Sequence, residues 1–381
     1  MRIVLDLLAD PEKGTGVSRY ARNLVNNLAE VDHTNEYLLI LNRESEGKYR
    51  VKAPNFKYKT VRCTFGSPAL IRMYELFVLP LYLFFFYRAD IVHSVNNVLP
   101  LLLPRFKKIV TIHDVLFMKH KDRYGGIKQV FYRLLVALSA RNADIIITDS
   151  ESSKKDIISY LKIDESKISV IDLGCDEFIP NIPEGRIDNV KGKYGIRSPY
   201  ILTVGNLDPL KNIKTAILAF ADYLRSYKDK DVVLVVAGNK ERMFMELEKI
   251  VSNRGLTGKV VFTGYVPEED LKALYKGAAV FLFLSLSEGY GLPPLEAMAA
   301  GIPVIASGVE PVAGIVSSQI LVDPLDISEV SESIHKVLSD KNISRPMIEK
   351  GRKEASSHLW PECAVKTHEI YNMLSHDDGI I

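Results

Sequence analysis

The sequence predicts an α/β protein with two Rossmann-like domains, each consisting of a parallel sheet covered by helices. Three observations support this prediction. Short apolar runs, such as VFLFL at 280–284, have the length and composition of strands that are buried on both faces of a parallel sheet. These runs alternate with segments of helical period along most of the chain. The length of 381 residues exceeds that of one ordinary core and is typical of two domains.

The composition is that of a water-soluble globular protein. Hydrophobic residues make up 47% of the chain and charged residues 25%. The formal net charge of +2 argues against a dedicated nucleic-acid binder. Cys63, Cys175 and Cys363 lie too far apart in sequence for a metal motif and are expected to be reduced thiols. With no secretory signal before the first apolar run, we expect a cytoplasmic protein without metal or nucleic-acid partner.

The stretch 285–307, SLSEGYGLPPLEAMAAGIPVIAS, has the pattern of a loop, a helix and a strand. Gly289 and Gly291 interrupt the preceding apolar run. Pro293 and Pro294 are suited to the start of a helix, where the N–H that proline lacks would have no intrahelical partner. Free N–H groups at a helix N-terminus behind a Gly-x-Gly loop favour an anion, such as a phosphate.

Two carboxylates accompany this predicted anion site. Glu288 lies in the glycine loop, and Glu296 lies in the first turn of the helix. Carboxylates beside a phosphate site suit a ligand that also carries neutral hydroxyls. A nucleotide sugar is such a ligand, because its diphosphate accepts hydrogen bonds from N–H groups and its vicinal hydroxyls donate to a carboxylate. The alternative is a pair of solvated glutamates, which the surrounding glycines, prolines and strands disfavour.

The segment from Glu288 to Glu296 resembles the signature of the retaining nucleotide-sugar glycosyltransferases of family 4. This family has the GT-B fold, in which two Rossmann-like domains face each other across a cleft and a C-terminal helix crosses back to the first domain. The resemblance implies that Glu288 lies near the donor sugar as a catalytic residue and that Glu296 binds the ribose hydroxyls. It also implies donor contacts by the loop between them, at Gly289, Tyr290, Gly291 and Leu292.

A glycine loop also follows the first apolar run at 2–8. The loop Gly14-Thr15-Gly16 precedes a predicted helix at 17–30, but the third glycine of the dinucleotide fingerprint is missing. A plain turn before a helix is therefore the alternative interpretation. In the resembling family this loop lies over the donor phosphates, so Gly16 is expected to allow their close approach.

Two histidines lie at the ends of predicted parallel strands, where ligands gather in open α/β sheets. His93 lies near the end of the predicted strand at 90–94, and His113 lies near the end of the predicted strand at 109–114. The segment VTIHDV resembles the family segment whose histidine contacts the donor sugar. We therefore favour His113 over His93 as a catalytic residue.

The segment TVGNLDPLKN resembles the phosphate loop of the family. Lys211 lies beside a predicted helix N-terminus, where a cation can face a diphosphate and assist catalysis. The family commonly has an additional Arg in this loop, but here Asn206 and Leu210 occupy the two expected places. Phosphate neutralisation should then depend on Lys211 and backbone N–H groups, and donor affinity is expected to be lower. The remaining predicted donor contacts are Gly205, Asn206 and, through backbone atoms near the base, Tyr265 and Val266.

The apolar run at 71–87, IRMYELFVLPLYLFFFY, is too short and too interrupted by Pro80 to cross a bilayer as one helix. One interpretation is a buried helix. The other is an apolar face at 71–88, beside the acceptor site, that contacts an anionic membrane surface. The basic residues expected around that face are Arg72, Arg88, Arg105, Lys107 and Lys108.

The domain boundary is predicted where proline, glycine, asparagine and charge accumulate, between Pro180 and Arg197. We therefore predict an acceptor-binding domain at 1–183, a donor-binding domain at 184–360, and a last helix within 361–381 that packs on the first domain.

The resemblance implies transfer of a hexose from a nucleotide-diphosphate sugar to a saccharide hydroxyl with retention, by front-face attack and without metal or other cofactor. Similarity to bacterial polysaccharide mannosyltransferases favours GDP-mannose as donor and a lipid-linked acceptor of lipopolysaccharide synthesis, at the inner face of the cytoplasmic membrane. UDP-glucose or a UDP-N-acetylhexosamine is the alternative donor. A Rossmann oxidoreductase is disfavoured by the incomplete glycine fingerprints, and a sugar phosphorylase by the absence of a pyridoxal lysine motif. A non-catalytic scaffold is also left open.

Overall fold

The computed structural model describes residues 1–9, 16–49, 51–61, 68–100, 106–120, 126–175, 182–228, 231–240 and 243–376. The chain forms two compact units. The first consists of Met1–Gly174 and Leu359–Ile381, and the second of Cys175–His358. The units thus divide at Gly174, whereas the sequence-based boundary was placed at 183.

The first unit is built on a seven-stranded sheet in which all paired strands are parallel. Its strands are β1 (Arg2–Leu7), β2 (Glu36–Asn42), β3 (Phe56–Val61), β4 (Ile91–Ser94), β5 (Lys107–Thr111), β6 (Ile145–Thr148) and β7 (Ile168–Val170), in the spatial order β3-β2-β1-β4-β5-β6-β7. Its helices are α1 (Gly16–Val31), α2 (Pro68–Met73), α3 (Leu79–Tyr82), α4 (Leu116–Lys119), α5 (Ile127–Asn142) and α6 (Glu151–Leu161), with π-helical turns at Tyr74–Val78 and Leu83–Tyr87.

The second unit is built on a six-stranded parallel sheet. Its strands are β8 (Tyr200–Val204), β9 (Val233–Ala237), β10 (Val260–Gly264), β11 (Val280–Phe283), β12 (Val304–Ser307) and β13 (Ile320–Val322), in the order β10-β9-β8-β11-β12-β13. Its helices are α7 (Glu184–Lys193), α8 (Ile213–Tyr227), α9 (Phe244–Asn253), α10 (Glu268–Gly277), α11 (Leu292–Ala300), α12 (Val312–Ile315), α13 (Ile327–Ser339) and α14 (Lys341–Ala355).

Both sheets have a doubly wound strand order, as is typical of the two Rossmann-like domains that the sequence predicts. The chain returns across the sheet between β1 and β4 in the first unit and between β8 and β11 in the second. Open parallel sheets bind ligands at the carboxyl ends of the strands beside such a switch point. In the second unit, Gly205 follows β8 and Ser285 lies just after β11, so both loops of interest lie there.

The last helix, α15 (Trp360–His376), belongs to the first unit and packs against α1, as predicted. Tyr371 of this helix forms a 2.7 Å hydrogen bond between its hydroxyl and Nδ1 of His93 in β4. The backbone of Trp360 lies directly against Gly174. A Cβ atom built on Gly174 would lie 2.2 Å from the backbone nitrogen of Trp360, so this contact requires glycine.

The predicted linker between Pro180 and Arg197 is corrected in part. Residues 176–181, including Pro180, lie outside the described residues, but α7 occupies most of the remainder. This helix is attached to α10 by ion pairs, because Asp270 accepts from Arg186 at 2.9 Å and from Lys193 at 2.5 Å. Val190 is its one buried residue. A helix that is held mainly by ion pairs shows little periodicity in its apolar residues. The composition of this segment therefore resembles that of a linker.

Gly174→Ala should destabilise the first unit, because the added methyl group overlaps the Trp360 backbone. We expect the free energy of unfolding to fall by about 1–3 kcal/mol, as in other overpacked sites. Urea unfolding followed by circular dichroism measures this change. Gly185→Ala in α7 is the control, since its Cβ would meet no atom within 4 Å. Equal stability of Gly174→Ala and wild type would contradict the close contact.

Candidate active site

Lys211 and Glu288 form an ion pair at the carboxyl ends of β8 and β11. Nζ of Lys211 lies 2.5 Å from Oε1 of Glu288, and the two side chains are 27% and 13% exposed. Lys211 ends a short 3₁₀ helix, Pro209–Lys211, that Asp208 caps by accepting from the Leu210 N–H at 2.8 Å. The cap places the lysine next to the N-terminus of α8, whose dipole favours an anion.

The glycine loop after β8 is closely packed. A Cβ on Gly238 would lie 2.0 Å from the carbonyl oxygen of Gly205, and a Cβ on Gly205 would lie 3.3 Å from the Lys211 side chain. The loop therefore needs glycine at both positions to let Lys211 lie along the strand end. Asn206 is exposed, and its Oδ1 accepts from Asn239 Nδ2 at 3.2 Å.

The loop after β11 leads into α11 through Gly291, which has a positive φ of 133°. Only glycine adopts this conformation readily. Leu292 begins α11, but the next two residues, Pro293 and Pro294, have no N–H, so the first turn offers a phosphate the N–H of Leu292 rather than a full set of donors. Glu296 is the fifth residue of α11, so it lies beyond the first turn in which the sequence predicted it. It is 3% exposed, and Tyr290 in the loop is also buried. The predicted contacts of Gly289, Tyr290, Gly291, Leu292 and Glu296 with a donor remain predictions.

The predicted base-binding residues follow β10. Gly264 has a φ of 72°, and the Tyr265 side chain beyond it is exposed, whereas Val266 is buried. The second unit thus places Gly205, Lys211 and Glu288 together at the strand ends beside the α11 N-terminus. A contact between a base and Tyr265 or Val266 remains a prediction.

His113, in the first unit, is buried and has partners on both ring nitrogens. Its Nδ1 lies 2.7 Å from Oδ2 of Asp149, and its Nε2 lies 3.1 Å from the carbonyl oxygen of Val95. Burial alone lowers the pKa of His113, but the Asp149 carboxylate and the Val95 carbonyl outweigh burial and raise it. A ring that donates through both nitrogens is a cation and cannot act as a general base.

His93 is neutral and links β4 to its neighbours. Its Nδ1 contacts the Tyr371 hydroxyl at 2.7 Å, and its Nε2 contacts the Thr111 hydroxyl at 2.8 Å. Burial and the charge of His113 lower its pKa to about 3. These contacts give His93 a structural role, and the sugar contact predicted for His113 remains a prediction. Gly16 begins α1, and a Cβ there would meet no atom of the described residues within 4 Å. Gly14 and Thr15 lie outside the described residues.

Two family models match the chain, one in each half. The model described as Glycosyltransferase Family 4 matches residues 14–177, and the model described as Glycosyl transferases group 1 matches residues 187–354. The chain belongs to the glycosyltransferases. Together the two matched ranges include nearly all the residues that were singled out in the sequence, Lys211, Glu288 and His113 among them.

Similar proteins support this membership along the whole chain. The O-antigen chain mannosyltransferase B of Escherichia coli is 28% identical over 372 residues, which cover 94% of this chain and 96% of that protein. The O-antigen chain mannosyltransferase RfbU of Salmonella typhimurium is 26% identical over 311 residues, with 81% and 82% covered. The glycosyltransferase therefore resembles full-length O-antigen mannosyltransferases.

Solved structures confirm the predicted GT-B fold. Sucrose-phosphate synthase from Thermosynechococcus elongatus has a TM-score of 0.79 at 20% identity and covers 99% of this chain and 100% of its own. WaaG, a glycosyltransferase involved in lipopolysaccharide biosynthesis, has a TM-score of 0.71 at 18% identity, with 97% and 99% covered.

Sequence reasoning missed two residues that support the predicted site of this glycosyltransferase. Asp149 follows β6 and charges His113, and Ser285 donates to Glu288 at 2.5 Å. Asp149 lies in the segment TDS at the end of an apolar run. Because the same position at a strand end selected His113, it could also have selected Asp149. Which strand-end residues touch each other depends on strand order, which the sequence alone does not contain.

The apolar helical run of the glycosyltransferase is not interrupted at Pro80, which corrects the prediction. Pro68–Met73, Tyr74–Val78, Leu79–Tyr82 and Leu83–Tyr87 follow one another as helical segments. Among the described residues, Leu70–Tyr87 is the one helix long and apolar enough to cross a membrane. Its Leu76, Leu79 and Leu83 are buried. The opposite side is exposed, at Leu70, Met73, Phe77, Val78, Leu81, Phe84, Phe85 and Phe86.

The basic residues around this helix differ from those predicted. Arg72 is largely buried and donates to Glu75 at 2.8 Å, so its charge lies inside the unit. Arg105 lies outside the described residues. Arg2, which was not predicted, approaches the helix end, because its guanidinium lies 3.4 Å from the Tyr87 carbonyl oxygen. Helix α5 adds exposed apolar residues that were also missed, Val130, Phe131 and Leu134.

Asp149→Asn should reveal the charge on His113 through the pH dependence of stability. Because the pKa of His113 is raised on folding, protonation stabilises the fold fully below the unfolded pKa of about 6.5, and this stabilisation is lost as pH rises through the folded pKa. Asparagine keeps the shape of Asp149 but removes its charge. We expect a loss of about 2 kcal/mol in acid solution that shrinks as the pH becomes alkaline.

Urea unfolding of wild type and Asp149→Asn over this pH range measures the difference. Asp156→Asn is the matched control, since Asp156 forms an ion pair of 3.3 Å with Lys119 at the surface. Surface pairs contribute little, so its effect should be small at every pH. A difference for Asp149→Asn that does not change with pH would show that His113 is neutral.

Proposed function

We propose that this glycosyltransferase transfers mannose from GDP-mannose to a saccharide hydroxyl, with the anomeric configuration retained, in the synthesis of a bacterial surface polysaccharide. The observation that carries the donor part is the position of Lys211 and Glu288 beside two helix N-termini at the strand ends of the second unit. The similarity to O-antigen mannosyltransferases supports mannose as the sugar. The acceptor is proposed to be a lipid-linked saccharide.

The second unit is suited to bind the diphosphate of the donor. Lys211 is the one basic residue in the sequence from Gly205 to Asn212, so it would supply the charge of this loop. The N–H groups at the start of α8 and the N–H of Leu292, which precedes the two prolines of α11, would supply further donors. As the bond to the sugar breaks, negative charge develops on the leaving phosphate, and these groups would stabilise it. We propose that no metal or other cofactor takes part.

Retention by front-face attack is supported by the state of the two candidate catalytic side chains. Glu288 shares its charge with Lys211 and Ser285, which makes it a weak nucleophile for a double displacement. Both ring nitrogens of His113 are engaged, one by the Asp149 carboxylate and one by the Val95 carbonyl oxygen, so neither is free to accept a proton from the acceptor. The oxygen of the leaving phosphate is then the base that assists deprotonation of the acceptor.

We also propose that the protein acts at the inner face of the cytoplasmic membrane, to which the apolar side of 70–87 attaches it. Phe85 and Phe86 are 65% and 79% exposed, and such exposed apolar residues are costly unless they are covered. Arg2 and Arg88 lie at the end of this helix and would attract anionic lipid headgroups. A lipid-linked acceptor would be met at the same surface.

A donor assay tests the proposed reaction. Wild-type protein should transfer mannose from GDP-mannose, and the product anomer, read by NMR, should match the donor. Lys211→Ala should lose about 10²-fold or more in turnover, because one charged donor to the leaving group is removed. Glu296→Gln should mainly weaken binding of the donor. UDP-glucose and UDP-N-acetylglucosamine serve as competing donors, and turnover with neither GDP- nor UDP-sugars would refute the proposal.

Flotation with vesicles that contain anionic phospholipid tests the membrane contact. Wild-type protein should float with the vesicles, and Phe85→Asp with Phe86→Asp should remain in the soluble fraction, because each buried apolar side chain contributes to partition. Met245→Asp is the matched control, since Met245 is 65% exposed on α9 of the second unit. Equal flotation of all three proteins would exclude this helix as the attachment site.

A further inference from the structure

Lys211, which the proposed function assigns to the donor diphosphate, has a carboxylate partner in the structure. Lys211 and Glu288 lie on loops that follow the neighbouring strands β8 and β11, and their side chains meet at 2.5 Å. Both side chains are mostly shielded from solvent. A diphosphate that binds Lys211 must therefore either displace the Glu288 carboxylate from Lys211 or share Lys211 with it.

Ser285 holds that carboxylate in place. It is 1% exposed, and its Oγ lies 2.5 Å from Oε1 of Glu288 and 3.0 Å from the carbonyl oxygen of Leu210. A hydroxyl has one hydrogen to donate, and both neighbours here are acceptors. The Leu210 carbonyl also accepts from the Leu286 N–H at 2.7 Å. The hydrogen of Ser285 is thus available to Glu288, at the shorter of the two distances.

We propose that Glu288, positioned by Ser285, makes the site discriminate between the nucleotide sugar and the nucleoside diphosphate product. This inference rests on the proposed function. The product lacks the sugar and carries an additional negative charge on its terminal phosphate. A carboxylate close to Lys211 repels that charge, because like charges interact strongly in a partly buried site. The nucleotide sugar instead presents hydroxyls, which donate to the carboxylate.

As a consequence, Glu288 weakens binding of the nucleoside diphosphate product and favours binding of the nucleotide sugar. Removing its charge should leave Lys211 without a competing partner, so a nucleoside diphosphate should bind more tightly. Removing Ser285 should free the carboxylate to move and should reduce the discrimination without abolishing it. Glu288 therefore determines which of the two ligands binds more tightly, and Ser285 acts through Glu288 as a positioning residue.

Calorimetric titration of the full-length protein tests this assignment. GDP and GDP-mannose are titrated into wild type and Glu288→Gln, with UDP and UDP-glucose as a second pair. Glutamine keeps the size of the side chain and removes its charge. We expect the variant to bind the nucleoside diphosphate about tenfold more tightly than wild type does and the nucleotide sugar no more tightly. Glu248→Gln, which removes the same charge from the exposed surface of α9, should match wild type.

Ser285 is tested by loss and rescue of its hydroxyl. Ser285→Ala should lower the ratio of nucleotide-sugar to nucleoside-diphosphate affinity about threefold, and Ser285→Thr, which keeps the hydroxyl, should restore it. Ser307→Ala is the control, because Ser307 is a fully buried serine at the end of β12 whose Oγ has no hydrogen-bond partner among the described residues. Thermal unfolding of each variant confirms that it is folded.

The outcomes separate the two proposals. If wild type transfers sugar and folded Glu288→Gln binds the nucleoside diphosphate no more tightly than wild type does, the inference is overturned and the proposed function stands. If wild type binds neither nucleoside diphosphate nor nucleotide sugar, both are overturned. Tighter product binding in Glu288→Gln, with Glu248→Gln unchanged, supports the inference.

Discussion

The interior of each unit consists of parallel strands covered on both faces, and this constraint decides where its chemistry lies. In β1 and β11, residues such as Val4, Leu5 and Phe281 are fully buried, so the strands offer no polar surface along their length. Polar groups are tolerated inside where they satisfy one another, as His93 does with Thr111 and Tyr371. Ligand-binding groups must therefore lie at the strand ends, on loops whose relative positions the strand order fixes.

Charges at those strand ends are paired, and each pair has a physical consequence. Asp149 raises the pKa of His113, and Glu288 forms an ion pair with Lys211. A third pair, between Arg72 and Glu75, lies within the apolar helix at 70–87 and not at a strand end. Burial, together with the charge of Glu75, raises the pKa of Asp6 in the same unit. Unpaired charges in such places would destabilise the fold by several kcal/mol, so the pairs are a condition of placing ionisable groups there.

The sequence was sufficient for the features that depend on local pattern. Apolar runs located strands such as β8 and β11, and glycine and proline located the start of α11, because burial and helix initiation are properties of short segments. It was insufficient for features that depend on tertiary contacts. The Ser285–Glu288 hydrogen bond needs the loop conformation after β11, and helix α7 is held by Asp270 from a distant part of the chain. The sequence predicts an interruption of the apolar helix at Pro80. In the structure the helix continues through Pro80, because tertiary packing of Leu79 and Leu83 maintains it.

The pairing of charges also limits which mechanism these residues can perform. A histidine that donates from both nitrogens has no lone pair for a proton, and a carboxylate held by a lysine and a serine has reduced nucleophilicity. Neither residue is therefore suited to accept a proton or form a covalent bond in the transfer step. Under the proposed function, Lys211 is the group of the pair with Glu288 whose charge is in place before the substrate arrives and can stabilise the leaving phosphate without reorganisation at the moment of reaction. Under the proposed mechanism the leaving diphosphate must then supply the base, so the groups that hold it determine both binding and rate.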